Sequence, residues 1–125
     1  DQAYHSAFSL LKNGRNEEAI AAFNQFLAGY PQSEYAANAQ YWLAEANYAS
    51  GDFDRAARAF KRVINEYPGS SKAPDAKLKL GFTFYELEQW ERAREVLSEL
   101  NAQYPNSSVA QLAENRLQRM GREGR

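Results

Sequence analysis

The sequence has no cysteine. That excludes disulfides, thiolate-held zinc, iron–sulfur clusters, a thiol nucleophile and a cysteine-borne lipid within this stretch. It has one histidine, His5, so neither a histidine pair nor a multi-histidine metal site can be built. An excess of one charge is also missing. Fifteen basic against 16 acidic side chains leave a formal net charge of -1, which argues against a protein held on nucleic acid by phosphate neutralisation. No apolar run approaches the roughly 20 residues that span a bilayer. No GxGxxG, P-loop, HExxH or GxSxG motif occurs, and nothing supports an enzyme or a bound cofactor. The opening Asp1-Gln2-Ala3-Tyr4 has neither the basic start nor the apolar core of a leader. The expectation is that any export leader has been removed. What remains is 125 residues, 44% hydrophobic and 25% charged, the size and composition of one globular domain.

Self-similarity is plain. Tyr-Pro recurs at Tyr30-Pro31, Tyr67-Pro68 and Tyr104-Pro105, a step of 37 residues, and serine follows at Ser33, Ser70 and Ser107. Ala19, Ala56 and Ala93 keep the step, as do Gly14, Gly51 and Glu88. Each unit is patterned as two helices. Ala39, Trp42, Leu43, Ala46 and Ala49 recur at steps of three and four, then Phe53, Ala56, Ala57, Phe60, Val63 and Ile64 form a second stripe. Between them Gly51 suits a left-handed helix end, and Asp52 can accept bonds from the next helix's first amides. Pro68 lacks the amide needed to extend the second helix. The predicted helices are 2–13, 16–29, 34–50, 53–66, 72–88, 90–103 and 108–120, with no strand.

These units cannot bury their apolar faces alone, so the expectation is an all-α solenoid with one continuous core. Three helix-turn-helix repeats of 37 residues, about 1–33, 34–70 and 71–107, precede a capping helix at 108–120; residues 121–125 read as a frayed tail. Small residues at Ala7, Ala44 and Gly81, facing Ala19, Ala56 and Ala93, let paired helices approach closely. Phe23, Phe60 and Leu97 fill the space between units. Asp54/Arg58 and Glu88/Arg92 have the spacing of surface ion pairs. Arg116, Arg119, Arg122 and Arg125 suit the negative end of the last helix, a reading preferred to a contact for an acidic partner or an anionic envelope surface.

The repeat resembles the tetratricopeptide (TPR) pattern W-x2-L-G-x2-Y, A-x3-F, P. The middle unit matches it with Leu43, Ala44, Ala56, Phe60 and Pro68, the third with Leu80, Gly81, Phe84, Ala93, Leu97 and Pro105. The step exceeds the usual 34 by three residues, close to one extra turn on each first helix. A narrower likeness covers essentially the whole chain. Tyr-Pro-x-Ser-x-x-Ala, the run Asn38 to Glu45 and the run Lys72 to Gly81 resemble the C-terminal TPR domain of the periplasmic cell division coordinator encoded with the Tol-Pal system. That resemblance implies a periplasmic protein that binds TolA and coordinates outer-membrane constriction with septal peptidoglycan synthesis, where a bifunctional penicillin-binding protein acts. It also implies an upstream trimerising coiled coil, making this chain an excised, monomeric domain. An alternative is a TPR subunit of outer-membrane protein assembly, which usually has more repeats and a lipidated cysteine; a structural oligomerisation module is another.

In a TPR stack the first helices line the concave face. The positions expected there are Tyr4, Phe8 and Leu11, then Asn38, Tyr41, Glu45 and Tyr48, then Asp75, Leu78, Phe82 and Tyr85. Aromatic rings give broad contact area, and tyrosine adds a polar tip. The candidate function is a groove that clasps a segment of a partner protein, with about half of the rings taken up by the core instead. The chaperone-type carboxylate clamp is disfavoured, because its positions carry Tyr4, Phe8, Trp42, Asp75 and Lys79 and only Lys79 has the required charge.

Overall fold

The computed structural model describes all of residues 1–125 as seven helices. They are α1 (Gln2–Lys12), α2 (Asn16–Gly29), α3 (Ala36–Ala49), α4 (Phe53–Glu66), α5 (Lys72–Glu86), α6 (Trp90–Gln103) and α7 (Ser108–Arg122). The turn within each pair is one backbone device used three times. Gly14, Gly51 and Glu88 take φ of 78°, 81° and 60°. Just after them the amides of Arg15, Asp52 and Gln89 each donate to a carbonyl five residues back, Leu10, Asn47 and Phe84, at 2.9 Å. This left-handed cap satisfies carbonyls that the helix end leaves open. Asp52 then accepts from the Arg55 amide at 3.2 Å and starts α4.

Between pairs, the tyrosine before each proline leaves helical geometry, with φ from -137° to -132°. After Pro31 the Ser33 hydroxyl accepts from the Tyr35 amide at 3.0 Å. That turn delays α3 to Ala36, two residues later than its sequence pattern predicts. Ser107 caps α7 directly by accepting from the Ala110 amide at 3.1 Å.

Each helix packs on its chain neighbour. In addition α1 touches α3, α3 touches α5 and α5 touches α7, while α2, α4 and α6 do not meet one another. The odd-numbered helices therefore form a closed inner wall and the even-numbered ones a splayed outer wall. Ala7, Ala19, Ala44, Ala56 and Ala93 are fully buried at the crossings, with Phe23, Phe60 and Leu97. At Gly81 a β-carbon would lie 2.5 Å from Leu97 Cδ2, so the third pair packs too closely for alanine there.

Three expectations need correction. The buried side chains form two groups rather than one core, an N-terminal group around Phe23 and a larger one around Phe60, and half-buried Trp42 bridges them. The division runs along α3: its Ala39 and Leu43 belong with Phe23 and Phe26 of α2, while its Tyr41 and Ala44 belong with Phe60 of α4. Residues 121–125 do not fray: α7 runs to Arg122, and the Tyr85 hydroxyl hydrogen-bonds Glu123 (2.6 Å) and Arg125 (3.3 Å). The expected Asp54/Arg58 and Glu88/Arg92 ion pairs are absent. Arg92 donates to Gln89 instead, while Arg15–Glu18 and Arg62–Glu66 pair at 2.7 Å.

Candidate protein-binding groove

The inner wall is built from the same turn positions of successive odd helices. Steps of three and four put Tyr4, Phe8 and Leu11 on one face of α1, Asn38, Tyr41, Glu45 and Tyr48 on one face of α3, and Asp75, Leu78, Phe82 and Tyr85 on one face of α5. The structure divides these residues. Tyr4, Tyr41, Leu78 and Tyr85 are buried; the other seven are half-buried. Three of the six rings therefore serve mainly as core, and Phe8, Tyr48 and Phe82 stay partly open to the groove. Tyr85 is the one whose role differs most from a contact residue, since it anchors the C-terminal segment.

A second row of side chains, one position further along each odd helix, seams the wall together. Trp42 of α3 reaches back to Phe8 of α1, with ring centroids 5.2 Å apart. Lys79 of α5 reaches back to Tyr48, 5.3 Å from the ring, and pairs with Glu45 at 3.3 Å. Arg116 of α7 lies over Phe82 at 4.1 Å and Tyr85 at 4.8 Å. Cations over ring faces gain from the ring quadrupole, by about 0.5–1 kcal/mol at exposed sites. Lys72 adds to this pattern, 5.0 Å from both Tyr41 and Trp42.

Sequence reasoning passed over this row. Trp42 reads as part of the α3 apolar stripe, Lys79 as the lone cation of a clamp and Arg116 as a charge at the helix end, although the 37-residue step aligns the three. Arg116 Nη1 is shielded from solvent and has no hydrogen-bond acceptor within the protein.

Burial sets the acid–base character of the wall. It pushes the Tyr41 hydroxyl far above the ordinary tyrosine range, and the charges of Glu45 and Asp75 add to the effect. Tyr4 is raised chiefly by burial. Tyr48 is raised by burial and by Glu86, with Arg116 opposing. These phenols stay neutral hydrogen-bonding groups at physiological pH. No three His, Asp or Glu side chains cluster as a metal site would need, and no helix is long and apolar enough to cross a membrane.

Paired helices stacked at a fixed repeat, with an inner wall of aromatic and charged side chains, define a TPR-type helical repeat protein. The fold recurs in solved structures of low sequence identity. The type III secretion translocator chaperone SycD of Yersinia enterocolitica matches with a TM-score of 0.79 and 18% identity, over 98% of this chain and 83% of that one. Nearly identical TPR-like repeats from Podospora anserina match with a TM-score of 0.79 and 17% identity, over 98% of this chain and 65% of that one.

More specifically, the chain belongs to the YfiO family, described as outer membrane lipoprotein, whose profile matches residues 1–121. It is also similar to the cell division coordinator CpoB. The Pseudomonas putida protein is 55% identical over 49 residues, 39% of this chain and 18% of that protein. The Escherichia coli protein is 41% identical over 46 residues, 36% of this chain and 18% of that protein. The matched stretch is thus less than a fifth of these relatives' length. The family and these relatives agree with the likeness read from the sequence and point to the cell envelope.

Proposed function

We propose that this domain is a non-enzymatic binding module of the cell envelope whose inner wall clasps a segment of a partner protein. The observation that carries the reading is the row of half-open rings, Phe8, Tyr48 and Phe82, each held in place by Trp42, Lys79 or Arg116 of the next odd helix. Pre-positioned aromatic anchors lose little entropy when a partner docks. Similarity to cell division coordinators supports a role in division, in the periplasm and the Tol-Pal setting, with TolA as the partner and the septal peptidoglycan synthase as a second. In that role the domain links outer-membrane constriction to septal wall synthesis, carried on a longer protein that trimerises through a coiled coil.

The test is binding of the purified periplasmic domain of TolA to the wild type and to the Tyr48→Ala/Phe82→Ala variant. Tyr85 is left intact because its loss would unseat residues 123–125. Affinity should fall at least about tenfold, the scale of losing anchor residues, with helicity by circular dichroism unchanged. Equal affinity of the two proteins rejects the groove as the binding surface.

The match to the outer membrane lipoprotein family over residues 1–121 favours one second reading, a scaffold of outer-membrane protein assembly. Co-purification with the assembly machinery rather than with TolA would select it.

A further inference from the structure

The outer wall carries a site of its own. Because α2 and α4 do not touch, a furrow of about 370 Å³ lies between them. One side is formed by Arg55, Arg58 and Arg62, which follow one another on a single face of α4; the facing side includes Ile20 and Asn24 of α2. The floor is polar as well as apolar. Gln40 and Asn47, two of only three buried polar side chains in the chain, line it beside Leu43 and Ala59. The Gln40 amide is fixed by donating to the Ala59 carbonyl at 3.1 Å, and the Asn47 amide by donating to the Leu43 carbonyl at 3.1 Å.

The charges do not balance. Arg55 has Asp52 at 3.5 Å and Arg62 has Glu66 at 2.7 Å, both exposed pairs within α4 and its cap. Such pairs exchange readily for another carboxylate. Arg58, at the centre, pairs with no carboxylate, although Asp54 stands four residues before it. In a chain of net charge -1 this is a local excess of guanidinium, a group whose planar fork suits carboxylates.

We infer that the α2–α4 furrow is a second docking site, independent of the inner groove, that takes an extended acidic segment of a partner protein. Arg55 to Arg62 spans seven residues of helix, about 10 Å. An extended chain covers that distance in about three residues. Three acidic residues at alternate positions span about 14 Å, a mismatch of about 4 Å that the long, flexible arginine side chains can absorb, while the partner's backbone finds the amide and carbonyl groups of Asn24 and the furrow floor. This site would let one domain hold two partners at once.

The probe is a fluorescein-labelled peptide of alternating aspartate and glycine, compared with its asparagine counterpart. Fluorescence anisotropy should show the aspartate peptide binding the full chain about tenfold more tightly than the asparagine one, with affinity falling as salt rises. R58Q should weaken it several-fold, and the R55Q/R58Q/R62Q variant should abolish it, with circular dichroism unchanged. Y48A should leave it intact, which separates this site from the groove. Equal binding of both peptides, full binding by the triple variant, or arginine-dependent binding to phosphatidylglycerol vesicles without peptide binding would each overturn the inference.

Discussion

The Arg116 guanidinium sits over Phe82, 4.1 Å from the ring centre, on a residue 34 positions later in the chain. Trp42 stands in the same relation to Phe8. In each case a side chain of one odd helix covers a ring of the previous one, so the inner wall is fastened across repeats and not only within helix pairs. The guanidinium keeps this place although one of its nitrogens has no protein acceptor. Stacking must therefore offset part of the cost of shielding a cation.

Removing that stack should loosen the capping helix. Arg116→Ala is expected to lower stability by about 1–2 kcal/mol, from two lost cation–ring contacts and the buried stem. Arg116→Lys should recover only part of it, because an ammonium lacks the planar face. Urea denaturation checks this through the midpoint, with the slope unchanged. A midpoint equal to the wild type in the alanine variant would show that the stack contributes nothing.

The three left-handed caps offer a cleaner measurement. Glu88 holds φ of 60° where Gly14 and Gly51 hold 78° and 81°, and an L-residue there carries a steric cost of roughly 1–2 kcal/mol. Glu88→Gly should therefore stabilise the chain by about 0.5–1 kcal/mol, the remainder being offset by glycine's greater unfolded-state freedom. Gly51→Ala should cost about 1 kcal/mol. Thermal melts that place the two substitutions in the same direction would contradict this account.

Alkaline pH probes the wall itself. Tyr4, Tyr41 and Tyr48 are all held above the ordinary tyrosine value, first by burial. For a group whose folded value is raised, the contribution to stability is fully present below the unfolded value. It is lost as pH rises through the unfolded value, about 10, toward the folded one. Of the eight tyrosines, these three should be missing from the tyrosinate absorbance gained near pH 10, and they should appear there once urea unfolds the chain. A native titration that already shows all eight near pH 10 would mean the rings are freely solvated.

Much of this molecule is legible in the order of its residues. The 37-residue step, the alanines and glycine at the helix crossings, and the proline stops each act through local sterics or backbone hydrogen bonding. These forces work over a few residues and leave a periodic trace in the sequence. Helix ends follow from the sequence to within two residues for the same reason, and α3 starts later than its apolar spacing predicts because Ser33 builds a side-chain turn that such spacing does not register.

Tertiary structure alone decided which rings are core and which are surface. Tyr85 and Tyr48 share a repeat position, yet Tyr85 is buried under Arg116 and the returning Glu123 and Arg125, while half-buried Tyr48 meets Lys79 and the ring of Phe53. The outer furrow was equally hidden, because it exists only where curvature parts α2 from α4 and leaves Arg58 facing a gap instead of Asp54. Burial and pairing at such places depend on what the neighbouring repeat brings within a few ångströms. One-dimensional periodicity fixes the repeat but not that neighbourhood.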